Sequence, residues 1–187
     1  MSKYKGVDFV QLWLEGGPTI SKAPGVAELR NVAGALTPII RLQPPKYRRW
    51  WILEAPIFAK LIDANGDELR PETQLVAMFK GADPYQDNVK IGDLSYAVHH
   101  QLDWKAQLGI GAEHPAANWP ALSLSLSPVS AHPSLANRFQ VLGENLRAFR
   151  IDPGERVEFY IKSDQVVDWS NEGSKVLIWI HEEPIQA

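Results

Sequence analysis

The sequence predicts an all-β chain: an antiparallel β-sandwich or barrel of jelly-roll, Greek-key type, with an N-terminal arm. Three observations carry that expectation. Short runs alternate apolar and polar residues, most cleanly "ALSLSLS" (121–127), which sets Leu122, Leu124 and Leu126 on one face and Ser123, Ser125 and Ser127 on the other. Pro, Gly, Asn and Asp punctuate these runs, and no amphipathic helix longer than about three turns can be drawn. The connections 82–92, 109–120 and 128–138 are long and uneven, which favours Greek-key or jelly-roll wiring over a simple meander.

The elements follow in chain order. Residues 1–35 read as an arm, because "GGPTISKAPGVAELRNVAGAL" is rich in Gly, Pro and Ala and the apolar pieces, such as Val10, Leu12 and Leu14, are short. Pro24 and Gly25 can start one brief helix over Val26 to Val32. The β domain spans 36–187. "LTPIIRLQ" (36–43) is a strand stopped by Pro44-Pro45, and "RRWWILEAPIFAKLID" (48–63) is a long strand bent at Ala55-Pro56, where proline interrupts a ladder. Asn65-Gly66 is a hairpin signal. "TQLVAMFK" (73–80) and "DLSYAVHHQLDW" (93–104) are strands separated by a polar loop through Asp83-Pro84 and Asp87-Asn88. "ENLRAFRI" (144–151), "RVEFYIK" (156–162) and "SKVLIWIHEE" (174–183) close the chain. Asp152-Pro153-Gly154-Glu155 between the first two places Pro and Gly as a type II turn requires.

At 187 residues the chain fits one domain with its arm. The absence of cysteine removes disulfides, thiol catalysis and thiolate metal sites together. A net charge of -3 is no basic field for holding a polyanion, so no direct nucleic-acid binding is expected. No signal-peptide pattern, no apolar run of the roughly 18 residues that cross a bilayer, and no glycosylation sequon are present. The expectation is a soluble chain made inside a cell.

Catalytic motifs are weak. His99-His100 with Asp103, and His114 further on, do not form a ligand set, since neighbours on a strand point to opposite faces. A jelly-roll metalloenzyme of cupin type needs a His-x-His pair, which the sequence lacks. Asp63, Glu68, Asp164 and Asp168 adjoin turns, where carboxylates are ordinarily solvated, and "GIGAEHP" lacks the lysine and the strand–helix setting of a phosphate loop. No enzyme activity, cofactor or metal is expected.

The "KYRRWW" stretch (46–51) calls for another explanation. Trp50 and Trp51 are consecutive on a strand, so the expectation is one in the core and one facing out beside Arg48 and Arg49. Exposed aromatics next to arginine make interface anchors. They also make sugar-stacking platforms, the main rival reading, and a tryptophan covered by the N-terminal arm is the structural alternative. Trp119, in the loop between Asn118 and Pro120, is a second candidate contact. The expected interface is therefore Arg48, Arg49, Trp50, Trp51 and Trp119.

With its Gly/Pro-rich arm, its strand-rich body and the ending "RIDPGERVEFYIKSDQVVDWSNEGSKVLIWIHEE", the chain resembles the small single jelly-roll capsid proteins of icosahedral double-stranded DNA viruses, including bacteriophages. The resemblance rests on pattern over most of the chain. It implies a virion structural protein, a capsid subunit or decoration protein, assembled in the host cytoplasm from copies of itself or with another coat protein. The alternative is a non-catalytic carbohydrate- or receptor-binding module.

Overall fold

The computed structural model describes residues 10–15, 32–55, 57–69, 73–81, 87–96, 105, 109–127, 133–143, 146–168 and 173–185. They form eleven strands: β1 (Val10–Glu15), β2 (Thr37–Leu42), β3 (Arg48–Leu53), β4 (Ile57–Lys60), β5 (Gln74–Lys80), β6 (Asp87–Tyr96), β7 (Ala121–Leu126), β8 (Phe139–Leu142), β9 (Leu146–Ile151), β10 (Arg156–Lys162) and β11 (Lys175–Pro184). The helical elements among these residues are two 3₁₀ turns, Pro115–Asn118 and Pro133–Arg138, and the backbone is also helical at Lys105. None of them is long and apolar enough to cross a membrane. The architecture is thus all-β, as the alternating runs require.

Every pairing is antiparallel, and four pairs are nested in the chain. β1 meets β11, β2 meets β10, β3 meets β9, and β5 meets β6. A second set of contacts joins these pairs side by side: β10 with β5, and β11 with β3 and β4. The path runs β2-β10-β5-β6-β7-β4-β11-β3-β9-β8, with β1 along β11. It is open, because β2 and β8 end it without meeting.

β3 and β4 are two halves of one bent strand. Ile180 opposes both Val10 and Ile52, and Lys175 opposes both Glu15 and Lys60, so β1 lies along one edge of β11 and β3 and β4 share the other. Three steps along β11, from Leu177 to Ile180, match six along its partner, from Phe58 back to Ile52. The surplus bulges out at Glu54 and Ala55, beside Pro56, where the Ala55 N–H turns back onto the Leu53 carbonyl at 2.7 Å. The far edge changes partner at this bend, β9 pairing with β3 and β7 with β4. Strands far apart on the path nevertheless share one core. Phe79 on β5 meets Phe149 on β9 with ring centroids 5.3 Å apart and planes at 68°. Ile52, Ile91, Leu124 and Ile161 fill the same core.

The serine-leucine run behaves as its alternation demands, with Leu122, Leu124 and Leu126 buried and Ser125 exposed. Gly154 adopts φ 87° and the Glu155 N–H bonds the Asp152 carbonyl at 3.0 Å, the turn that Asp-Pro-Gly specifies. Two strands were not anticipated. Val10–Glu15, assigned to the arm, is a ladder strand on β11, and Phe139–Leu142 lies between the connection 128–138 and the strand 144–151, where no element is read. β6 also begins at Asp87, inside the expected connection 82–92, because its pairing with β5 extends to Lys80. The helix expected over Val26 to Val32 and the rest of the arm lie outside the described residues, apart from its last residues.

Candidate functional site

The "KYRRWW" stretch occupies the corner where β2 hands over to β3. Pro44 is buried, and Pro45 to Arg48 make a tight turn closed by the Arg48 N–H on the Pro45 carbonyl at 3.0 Å. The third turn residue, Tyr47, has φ 70°, the one non-glycine residue with positive φ among those described. This left-handed position suits Gly or Asn; a Tyr there carries about 1–2 kcal/mol of strain. The Ile185 N–H holds the Tyr47 carbonyl at 2.9 Å, and the side chain is 47% exposed. The Lys46 ammonium stands 4.9 Å from the Tyr47 ring centroid. Arg48 points outward too, its Nε a loose 3.8 Å from Glu182.

Arg49 does something different. Its Nε donates to Asp152 Oδ1 at 2.7 Å, and its Nη1 lies 3.9 Å from Glu183. Asp152 also faces Arg150 at 3.3 Å and Arg138 at 3.7 Å. Arg138, nearly buried, grips Glu155 with both terminal nitrogens at 2.6 and 2.5 Å and lies 4.8 Å from the Phe79 ring centroid. The Asp152 N–H completes the knot by donating to Glu155 at 2.8 Å. Bidentate, charge-assisted bonds of this kind fix geometry. The knot ties β3, β9 and the Asp152–Glu155 turn to the 3₁₀ segment before β8, so Arg49 clasps these elements together within the chain.

The three tryptophans correct the expectation made for them. Trp50 and Trp51 do point to opposite faces, but both are buried, at 5% and 4% exposure. Trp50 enters the central core, and its indole N–H donates to Glu182 at 2.8 Å. Trp51 packs with Leu53, Ala55, Ala148 and Leu142 in a second apolar cluster on the other side of β3. The alternation of faces holds; the outward face simply is covered as well. Trp119 is buried with Phe58, Ile110, Ala116, Ala121 and Leu177, because the 3₁₀ turn Pro115–Asn118, capped by His114 Nδ1 accepting from the Ala116 N–H at 3.1 Å, folds its loop onto the sheet. None of the three offers an exposed ring.

Lys105, which sequence reasoning missed, is buried beneath that loop. Its ammonium donates to the Ala117 and Trp119 carbonyls at 2.6 and 2.7 Å and lies 5.5 Å from the Phe58 ring centroid. Burial pushes its pKa below the ordinary lysine value. Burial alone would raise the Asp63 pKa. Hydrogen bonds from the Asp67 and Asn65 backbone N–H groups and from Gln165 outweigh it and hold the carboxyl below its ordinary value. His99, His100 and Asp103 lie outside the described residues. Among the described residues no group of three or more His, Asp or Glu is placed to hold a metal.

No protein-family model matches the chain, and no curated protein matches its sequence. The functional reading therefore stands on geometry. It centres on the Lys46-Tyr47-Arg48 tip, whose signal was present in the sequence as an aromatic between two cations directly after Pro44-Pro45.

Proposed function

We propose that the chain is a structural subunit of a virus particle, a capsid or capsid-associated protein built as a jelly roll, with no catalysis of its own. The wiring supports the fold part. A jelly roll arises when a long antiparallel ribbon, first strand with last and each next pair inside it, wraps into two facing sheets. Four nested pairs with β1-β11-β3-β9 side by side and β2-β10-β5-β6 side by side fit that scheme, with β7 and β8 as additions.

Capsid subunits, lectins and cupins share jelly rolls, so the assignment among them comes from the surface. The observation that carries it is Tyr47: an exposed aromatic flanked by cations and held in a strained left-handed turn. Strain of this sort persists where the surrounding structure or function retains it. An aromatic with adjacent Arg is the composition of a protein-contact anchor. The sugar-platform reading relied on exposed tryptophans, and Trp50, Trp51 and Trp119 are buried. A core cavity lined by Ile39, Leu75, Leu122 and Phe159 is apolar and about 10 Å³. In this reading the partners are copies of the chain or a second coat protein, assembly takes place in the host cytoplasm, and the acidic net charge leaves the genome to other components.

The test is to purify the chain and follow it by sedimentation velocity and negative-stain electron microscopy as concentration rises. Regular particles or arrays, formed alone or with a co-purifying coat protein, are expected. A chain that stays monomeric throughout and instead binds an oligosaccharide array would overturn the reading.

A further inference from the structure

The two ends of β2 carry surfaces of different character. β2 runs from Thr37 to Leu42, so residues 32–36 and the 43–48 corner lie at opposite ends of it. β10 runs antiparallel beside it, with Ile161 opposite Thr37, which places Ser163 and the residues after it at the 32–36 end. The Gly34 N–H on the Ser163 carbonyl at 2.7 Å ties the two segments together. Around that junction Val32, Leu36 and Val166 are 61%, 43% and 44% exposed. The Asp63–Val167 bridge and the Gln165 bond to Asp63 bring the 63–68 turn, with exposed Asp67 and Glu68, alongside the segment that carries Val166 and exposed Asp164, with exposed Lys162 one position before Ser163. At the far end stand Lys46, Tyr47 and Arg48.

We propose that copies of the chain associate head to tail, the Lys46-Tyr47-Arg48 tip of one seated on the Val32, Leu36 and Val166 patch of the next. The ring meets three aliphatic side chains, and the two cations meet the carboxylates of Asp67, Glu68 and Asp164. A symmetric tip-to-tip contact would set Lys46 and Arg48 against their own copies, which like-charge repulsion opposes. A contact between two different surfaces is heterologous: it propagates, closing into a ring or extending as the rotation per copy dictates. The proposal rests on the assembly reading and names the partner of its contact site.

The experiment uses Tyr47→Asp, which spoils the tip, and Val166→Asp, which spoils the patch, both in the full chain. Both positions are exposed, so both variants should unfold within a few degrees of the wild type, as a check by circular dichroism. Each alone should sediment as monomer where the wild type associates. Mixed in equal amounts they should recover a dimer and nothing larger, because one intact tip and one intact patch remain between them. Higher salt should weaken the wild-type association by screening the charges. If both variants associate like the wild type, or the mixture stays monomeric, the head-to-tail contact is wrong and assembly by other surfaces stands. If the wild type never associates, alone or with a coat partner, the assembly reading falls with it.

Discussion

Replacing Arg138 with Ala should destabilise the fold by about 3–5 kcal/mol, the cost of stranding one partner of a buried ion pair. The site meets the condition for that figure: the side chains of Arg138 and Glu155 are only 10% and 12% exposed. The substitution deletes two charge-assisted bonds to Glu155, a 3.3 Å bond to the Arg150 carbonyl and the cation over Phe79. Glu155 keeps only the Asp152 N–H among the bonds in the knot, which places the expected loss toward the lower end of the range. Urea unfolding followed by tryptophan fluorescence gives the number, provided the slope of free energy against urea is unchanged. Arg138→Met combined with Glu155→Gln should recover much of the loss, since a neutral pair leaves no buried charge unpaired. A cost under about 1 kcal/mol for Arg138→Ala would match a solvated surface pair and would refute the buried knot.

Further outcomes follow at Trp51, Lys105 and Asp63. Trp51→Ala should cost about 3–5 kcal/mol in the same urea assay, as a buried aromatic does, whereas an exposed ring would cost little. Lys105→Met should cost about 2 kcal/mol by removing the bonds that the ammonium donates to the Ala117 and Trp119 carbonyls. Because the folded pKa of Lys105 is lowered, the wild type should gain stability relative to Lys105→Met as pH rises from the folded pKa toward the unfolded lysine value near 10.4, and thermal melts from neutral to alkaline pH read that difference. Asp63 has a lowered folded pKa, so its contribution is complete above the unfolded carboxylate value of about 3.9 and disappears as pH falls through the folded value. Asp63→Asn should therefore melt below the wild type at neutral pH and converge with it in acid; a gap constant with pH would contradict this.

The fold was legible where the sequence repeats a period or spells a turn. "ALSLSLS", Asp-Pro-Gly and Asn-Gly each declare their structure locally, and Pro56 marks the bend between β3 and β4. What stayed hidden was set by distant partners. β1 looks too short and isolated to be a strand until β11 supplies its ladder. Arg138 gives no sign that its carboxylate partner lies two strands further on, at position 155. The same limit explains the tryptophans: alternation tells which face a side chain takes, but not whether a loop or second cluster covers that face. Tyr47 was overlooked beside two larger rings, although Pro44-Pro45 before it already signals a projecting corner.

The most direct test of the account is Tyr47→Gly, compared with Tyr47→Ala. Ala keeps the left-handed strain of about 1–2 kcal/mol, while Gly relieves it at an entropic cost of about 0.5–1 kcal/mol. The Gly variant should therefore be the more stable of the two by roughly 0.5–1 kcal/mol, about 1–4 °C in melting temperature for a chain of this size. Both variants should lose association by sedimentation, because the ring is gone from each. That result places the ring in assembly and the strain in its service. A Gly variant that associates as well as the wild type would contradict the central claim, whatever its stability.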